Sequence, residues 1–389
     1  DRWQAGSLKA DVDRCCRANI DVAERTTINL PSGHAIEWRP AAIGHGDLGM
    51  AMVYSAADQL DPDGGWDQLA RTHLAKAAHD MQQGPLPTLG LFSGAAALAF
   101  AFRAHSRSGQ RYQRATADID ALIARELNAA AENVNPEEGS ATAIYDVVSG
   151  LTGAISYAFT TEAGTGKLGD SALRAIGVLA QLALTDRPGG LWTSSAKMNV
   201  FEHAKYDECF LDCGFAHGIV GVLNVLGQAC DRGWGSPLVA EATEHLAELL
   251  LEASVLDGVL DVPYALVPGE ARGATQSRYA WCYGNLGAAV PFHNSETLRR
   301  SYPDVVARLL DTSTRTYADQ QLGGPGLCHG RAGKLVLERI MLGEQTVSVN
   351  AESILRLCNR DRTFLLTDFI GDVQVDSPGF LDGSRSEER

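Results

Sequence analysis

Long hydrophobic runs are missing from this sequence. The longest strongly apolar stretch, residues 89–102, has 14 residues and contains glycine and serine. A membrane-spanning helix needs roughly 20 consecutive apolar residues, so this stretch is too short. The chain also begins without the basic, apolar and small-residue segments of a secretion signal. We therefore expect a cytoplasmic protein with no transmembrane segment, whose association with a membrane, if any, is made through partners.

Positive charge is also scarce. The 33 Lys and Arg residues are outnumbered by 48 Asp and Glu residues, which gives a formal net charge of −15. Proteins that follow the phosphates of a nucleic acid present a basic surface, so nucleic acid is excluded as an expected partner. A basic or mixed peptide is compatible with this charge.

Cysteine is sparse and shows no CxxC spacing. The eight cysteines are spread irregularly over 389 residues, unlike the dense disulfide framework of a small secreted domain. We expect reduced thiols in a reducing compartment. Cys209 and Cys213 stand four residues apart, but we assign no second metal site to them.

Glycine, by contrast, is abundant and recurs in a pattern. A glycine-rich loop opens an apolar helical stretch, and a polar loop then leads to a more charged, amphipathic helix. The first such unit begins at His45-Gly46-Asp47-Leu48-Gly49 and continues through residues 50–57 and 67–82. Steps of 46 to 68 residues separate the glycines that lead each unit, a period typical of helical-pair repeats. These leading glycines are Gly46, Gly94, Gly150, Gly218, Gly284, Gly330 and Gly383.

The repeat predicts an all-α fold. Stretches such as residues 218–229 are so apolar that they need burial on nearly all sides, whereas charged helices such as 239–254 suit an outer layer. An α/α toroid of seven inner and seven outer helices satisfies both demands, although such repeats can also form an open solenoid. We expect residues 1–389 to form a single toroid domain, with residues 1–40 as an N-terminal extension that packs on it.

In a closed ring all the glycine loops lie at one end. Two neighbouring loops then bring cysteine beside this opening, in Trp281-Cys282-Tyr283-Gly284 and Cys328-His329-Gly330. Cys282, Cys328 and His329 make a Cys₂His set, which suits zinc and leaves one tetrahedral position open. The alternative is that Cys282 packs behind Trp281 and that no metal binds.

These two motifs, the loop Ala216-His217-Gly218-Ile219-Val220-Gly221 and the sevenfold repeat resemble the lanthipeptide cyclases, the lanthionine synthetase C-like family. The resemblance runs from about residue 44 to residue 383. It implies an α/α toroid with one catalytic zinc (Zn²⁺). It also implies a reaction, the addition of a cysteine thiol to a dehydroalanine or dehydrobutyrine of the same dehydrated precursor peptide, which closes a thioether ring.

The resemblance also implies roles for individual residues. Cys282, Cys328 and His329 match the zinc ligands, and His217 matches the histidine that transfers a proton. Asp146 and Arg278 match the aspartate of the third loop and the arginine before the Trp-Cys motif. Asp146 could equally cap the helix that starts near Gly150, and Arg278 could pair with a surface carboxylate. The partners implied are the leader and core of the precursor peptide, and a dehydratase and transporter of the same pathway.

Two departures and two rival functions accompany this resemblance. Ala97 replaces the closing glycine of the second loop, and after Gly383 the sequence stops where the family continues into an apolar inner helix. The rivals are a relative that adds glutathione to dehydroamino acids and a non-catalytic zinc scaffold that binds peptide. The longest irregular regions, 187–213 and 255–277, are candidate substrate-contacting loops.

Overall fold

A computed structural model describes most of the chain between residues 28 and 375. The described residues are 28–29, 35–36, 38–84, 88–161, 166–256, 258–270, 278–311, 322, 324–343, 352, 354–359, 361, 366, 368–370 and 373–375. The chain divides into two compact units. The first comprises Asp1–Leu86, Ala97–Thr116 and Gly323–Arg389, and the second comprises Pro87–Ala96 and Ala117–Leu322.

The described residues are mainly helical, which confirms the predicted all-α class. The α-helices are α1 (Asp47–Leu60), α2 (Trp66–Gln83), α3 (Ala95–Ala104), α4 (Gln113–Asn133), α5 (Thr142–Tyr145), α6 (Leu151–Phe159), α7 (Lys167–Leu184), α8 (Val200–His203), α9 (Ile219–Asp231), α10 (Pro237–Ser254), α11 (Asn285–Asn294), α12 (Glu296–Ser301), α13 (Val305–Leu310) and α14 (Arg331–Leu342). The closed ring and the single toroid domain stay predictions.

The leading glycines mark the helix starts as predicted. Six of the seven stand directly before a helix, from Gly46 before α1 to Gly330 before α14. The seventh, Gly383, lies outside the described residues, as does the end of the chain that follows it. The position of these helices could therefore be read from glycine spacing alone.

The glycine loops contain paired glycines because the loop backbone passes very close to both positions. A Cβ atom at Gly218 would lie 2.3 Å from the carbonyl oxygen of Asp212, and one at Gly221 would lie 2.4 Å from that of Phe215. A Cβ at Gly153 would lie 2.1 Å from the carbonyl oxygen of Val147. The loop thus folds back over the first turn of its own helix, and only glycine leaves room for it. Ala97, the departure in the second loop, is completely buried.

The second unit has two layers of helices. Helix α9 is apolar and almost wholly buried, and it contacts α6, α7, α10, α11 and α12. Helix α10 packs on α7 and α9 through one face, while its opposite face exposes a row of glutamates. Each large side chain buried in this way contributes about 1.5–3 kcal/mol to folding. Ser236 begins α10, since its hydroxyl accepts a hydrogen bond from the Val239 amide at 3.3 Å.

The first unit is built on α1 and α2. Its core includes Met50 and Tyr54 from α1 with Trp66 and Ala70 from α2. Of the N-terminal extension, the structure describes an antiparallel strand pair, β1 (Ile28–Asn29) and β2 (Ala35–Ile36), and residues 38–40, of which Trp38 packs against this core. How this extension packs stays a prediction.

Strands occur in the regions that we expected to be irregular. An antiparallel sheet has the order β3 (Thr193–Ser194), β4 (Cys209–Asp212) and β7 (Ala265–Leu266), and β5 (Val255–Leu256) pairs with β6 (Val259–Leu260). All four residues of β4 are buried, so it lacks the polar and apolar alternation that identifies a strand in a sequence. A further pair is formed by β8 (Asp368–Ile370) and β9 (Val373–Val375).

None of the described helices is both long enough and apolar enough to cross a bilayer.

Candidate active site

Neighbouring glycine loops of the second unit are hydrogen-bonded to one another in chain order. The Leu91 amide donates to the carbonyl of Val147 at 3.1 Å, and the Val147 amide donates to the carbonyl of Ala216 at 3.0 Å. The Phe215 amide in turn donates to the carbonyl of Cys282 at 2.8 Å. The second, third, fourth and fifth loops therefore lie side by side, as predicted for loops that share one end of the fold.

This arrangement brings His217 and Asp146 together across 71 residues of sequence. The Nδ1 atom of His217 lies 2.7 Å from Oδ2 of Asp146. The other carboxylate oxygen, Oδ1, accepts hydrogen bonds from the amides of Ser149 at 2.6 Å and Gly150 at 2.8 Å. Asp146 therefore bonds to its own loop and to His217, whereas the helix that follows, α6, begins at Gly150 without a side-chain cap. Its predicted role in the reaction stays a prediction.

The carboxylate determines which ring nitrogen of His217 carries hydrogen. An ionised Asp146 can only accept, so Nδ1 of His217 must donate to it. Protons are then exchanged with other groups at Nε2, the second ring nitrogen. A histidine oriented by a buried carboxylate in this way is suited to general acid–base chemistry.

A second histidine–aspartate pair in the first unit provides a contrast. Nδ1 of His73 lies 2.6 Å from Oδ1 of Asp47, whose other oxygen accepts a hydrogen bond from the Trp38 indole at 2.7 Å. The His73 side chain is only 1% exposed, whereas that of His217 is 28% exposed. A substrate can reach only the second of these rings, so we regard the His73 pair as structural.

Asp212 and Tyr283 form a further polar pair beside His217, to which the sequence led us to assign no role. The Tyr283 hydroxyl donates to Oδ2 of Asp212 at 2.8 Å, and the Gly214 amide donates to Oδ1 at 2.7 Å. Burial raises the pKa of Asp212 to about 6, against the opposing effects of the His217 charge and of these two hydrogen bonds. The one available signal was a lone carboxylate inside the apolar run 209–213, since a charge is rarely buried without a purpose.

The predicted metal ligands belong to both units. Cys282 is buried in the second unit, and Cys328, which is also buried, lies with His329 in the first. Two thiolates and an imidazole are soft and borderline donors that suit zinc, so this donor set fits the ion that the sequence predicted. By contrast, burial raises the pKa of the Cys209 and Cys213 thiols, which disfavours the ionised form that a metal would require.

Arg278 is the predicted site residue that precedes the fifth loop. It is half-buried and lies at the start of the segment that leads into Trp281 and Cys282. The Trp281 ring stands between two phenylalanines, with ring centroids 5.2 Å from Phe92 and 5.6 Å from Phe215. The second, fourth and fifth loops therefore share an aromatic cluster beside the predicted site.

A family model covers most of the chain. The lanthionine synthetase C-like protein family model matches residues 37–383. The chain belongs to the lanthionine synthetase C-like family.

The chain has low sequence identity to individual relatives. It is 25% identical over 264 residues to the nisin biosynthesis protein NisC of Lactococcus lactis subsp. lactis, a match that covers 64% of the chain. The match spans 61% of that relative's length. The solved structure of a nisin cyclase superposes with a TM-score of 0.76 at 19% identity and covers 91% of this chain and 89% of its own. The lanthionine synthetase C-like chain thus has the fold of that cyclase.

Proposed function

We propose that this protein is a zinc-dependent lanthipeptide cyclase. It adds the cysteine thiols of a dehydrated precursor peptide to dehydroalanine or dehydrobutyrine residues and so forms lanthionine or methyllanthionine rings. The observation that carries the proposal is the accessible His217–Asp146 pair, whose loop is hydrogen-bonded to the backbone of Cys282. Membership of the family and similarity to a nisin cyclase support the same reaction.

Cys282, Cys328 and His329 would hold the zinc. When bound, the ion would supply Lewis acidity that keeps the substrate sulfur in its thiolate form near neutral pH, although a free cysteine has a pKa of about 8.5. The loop of His217 positions Cys282 through backbone hydrogen bonds. The amides of Phe215 and Ala216 both donate to the carbonyl of Cys282, at 2.8 and 3.2 Å, and so hold this ligand in place.

His217 transfers the proton during the addition. The thiol loses its hydrogen, the sulfur bonds to the β-carbon of the dehydroamino acid, and the π electrons of its double bond move toward the α-carbon and carbonyl. Nε2 of His217 accepts the thiol proton and returns a proton to the α-carbon. The addition neither gains nor loses atoms, so each ring forms without a change in the mass of the peptide.

Asp146 and Arg278 have supporting roles. Asp146 stabilises the imidazolium form of His217 between the two proton transfers and keeps its ring in one orientation. Arg278 supplies positive charge near the carbonyl on which negative charge develops. The leader and core of the precursor are the partners, together with a dehydratase and a transporter of the same pathway, and we place the protein in the cytoplasm.

Thiol alkylation tests the reaction. A dehydrated precursor peptide is incubated with the protein and then treated with a thiol-alkylating reagent, and its mass is measured. We expect the alkylated species to disappear with no other change in mass. Persistent alkylation with the full-length protein would overturn the proposal, and a mass increase of one glutathione per dehydroamino acid would favour the glutathione-adding relative.

Metal analysis tests the zinc ligands. We expect about one zinc per chain in the wild type, and loss of both zinc and cyclisation in Cys282→Ala with helical content retained, because the helical core packs independently of the metal. Cys230→Ala is the matched control, since the Cys230 sulfur lies 3.7 Å from the Thr243 hydroxyl instead of joining the ligand group. Wild-type protein without zinc would refute the metal assignment, and zinc without turnover would favour the peptide-binding scaffold.

A further inference from the structure

Three aromatic side chains meet beside the loop of His217. Phe92 lies in the second loop, Phe215 in the fourth and Trp281 in the fifth. The Trp281 ring centroid lies 5.2 Å from that of Phe92 and 5.6 Å from that of Phe215, and the rings of each pair are tilted by 55°. Aromatic rings at these separations attract one another, so the three rings form one cluster.

The rings of this cluster differ in exposure. Phe215 is buried, with only 8% of its surface exposed, whereas Phe92 and Trp281 are half-buried. The two half-buried rings, which we call the aromatic patch, therefore present apolar surface to the solvent. A single apolar side chain on a protein surface is ordinary, but two large rings in contact make a continuous apolar surface of the kind found in binding sites.

The backbone holds both rings of the aromatic patch in place. The Phe92 amide donates to the carbonyl of Val148 at 3.2 Å. The Trp281 backbone lies against Gly287, where a Cβ atom would be 2.2 Å from the Trp281 carbonyl oxygen, and the Gly287 amide donates to the Ala280 carbonyl at 2.9 Å. A surface that is formed before its ligand arrives loses little conformational entropy when it binds.

The aromatic patch lies next to residues of the proposed reaction. Phe215, which packs on Trp281, stands two residues before His217, and Trp281 directly precedes Cys282. Consecutive Cα atoms of a peptide are about 3.8 Å apart. A substrate whose reacting cysteine lies at His217 therefore brings the side chain of a neighbouring residue within reach of the patch.

The chemistry of the patch selects the kind of side chain that it binds. An apolar side chain gains free energy when it covers the rings of Phe92 and Trp281, whereas a polar one loses hydrogen bonds to water there. An apolar side chain such as leucine is therefore the expected occupant. A cation can also lie on an aromatic face, so lysine is the alternative that an experiment must separate from leucine.

We propose that Phe92 and Trp281 form a subsite that binds an apolar side chain next to the reacting cysteine of the precursor peptide. This inference rests on the proposed function and adds a preference of the substrate that the addition itself does not require. The subsite forms no covalent bond and transfers no proton. It positions the peptide and selects its sequence.

Binding of short peptides tests the subsite without turnover. Each peptide carries one cysteine and, in place of the dehydroamino acid, an alanine that cannot react. The residue beside the cysteine is leucine, serine or lysine, and fluorescence anisotropy of the labelled peptide gives its dissociation constant with the protein. Serine is the polar reference instead of aspartate, because the net charge of −15 would disfavour an acidic peptide at any site.

We expect the wild type to bind the leucine peptide about tenfold more tightly than the serine peptide, because one buried apolar side chain changes affinity by about this factor. Phe92→Ala and Trp281→Ala should each reduce this preference to less than about threefold. Trp234→Ala is the matched control. Trp234 is a half-buried tryptophan whose ring lies 5.4 Å from that of Phe159, but it follows the end of α9 that is opposite its glycine loop. This variant should keep the wild-type preference.

The contrary outcomes separate the subsite from the function on which it rests. Equal binding of the leucine and serine peptides to the wild type would overturn the subsite, as would a preference that persists in both patch variants or disappears equally in Trp234→Ala. Lysine bound as tightly as leucine would overturn its apolar specificity. The mass assay with dehydrated peptide is read independently: a wild type that prefers leucine but forms no thioether would overturn the proposed cyclisation while supporting the subsite.

Discussion

Protonation of the buried Asp212 contributes folding stability that is lost as the pH rises from mildly acidic to neutral. Desolvation raises the pKa of its carboxyl from 3.8 to about 6, and the His217 charge and the Gly214 and Tyr283 hydrogen bonds only partly offset this effect. The folded chain therefore binds this proton more tightly than the unfolded chain. The resulting stabilisation is fully present below about pH 4 and is lost as the pH rises through about 6.

The size of the effect follows from the shift in pKa. A difference of about two units corresponds to about 3 kcal/mol of unfolding free energy in total, of which about 2 kcal/mol is lost between about pH 4.5 and pH 7.5. Little discount for solvent screening applies, because the side chain is almost completely buried. Asp212→Asn cannot titrate, so this contribution should be missing from the variant.

Urea unfolding measured across this pH range checks the prediction. Wild type and Asp212→Asn are compared in the same chelating buffer, so that protonation of metal ligands does not differ between them. The free energy of the variant minus that of the wild type should increase by about 2 kcal/mol from the acidic to the neutral end. Hydrogen bonds from Thr297 and Glu296 outweigh desolvation and lower the pKa of Asp231, so Asp231→Asn should run parallel to the wild type here. Parallel curves for Asp212→Asn would refute the reasoning.

Two further predictions concern the loops. Gly221→Ala should lower the free energy of unfolding by about 2–4 kcal/mol, because its Cβ would lie 2.4 Å from a carbonyl oxygen. A Cβ at Gly177 would meet nothing within 4 Å, so Gly177→Ala should stabilise α7 by about 0.5–1 kcal/mol. Equal unfolding free energies of the two variants in urea would contradict this prediction. Asp146→Asn should lower the single-turnover rate of cyclisation about 10²–10⁴-fold with zinc retained, because an amide nitrogen facing Nδ1 forces His217 into the other tautomer. A rate near that of the wild type would show that His217 does not transfer the proton.

The repeat could be predicted from the sequence because its cause is local. Gly218 and Gly221 must be glycine to let the loop cross its own helix, and that requirement leaves a visible spacing in the chain. The same spacing gives Cys282 and Cys328 equivalent positions in two neighbouring loops, each two residues before the leading glycine. Residues selected by a repeated local constraint are those that sequence reasoning finds.

Asp212 could not be found in this way because its role depends on distant residues. Its partner Tyr283 is 71 residues away, and its placement depends on the pairing of β4 with β7. Neither strand shows a pattern that identifies it, since β4 is buried throughout and β7 has two residues. The bond between His217 and Asp146 was likewise not derivable, although the family resemblance implied a role for both residues.

The buried carboxylates of Asp146 and Asp212 have the same hydrogen-bond arrangement. Each gives one carboxylate oxygen to backbone amides of its own turn, Asp146 to Ser149 and Gly150 and Asp212 to Gly214. The other oxygen then points to a ring on a neighbouring loop, that of His217 or Tyr283.

Because the turn fixes the carboxylate before any substrate arrives, the His217 ring would not need to reorganise during the proposed reaction. Removing a ring would leave its aspartate anchored, whereas removing an aspartate would release both the turn and the ring. On this reasoning, substitution of either carboxylate by alanine should disturb the loops more than substitution of His217 or Tyr283, and hydrogen exchange of the Ser149 and Gly214 amides measures that difference. Equal protection of these amides in the ring variants and the aspartate variants would show that the turns are held by other contacts.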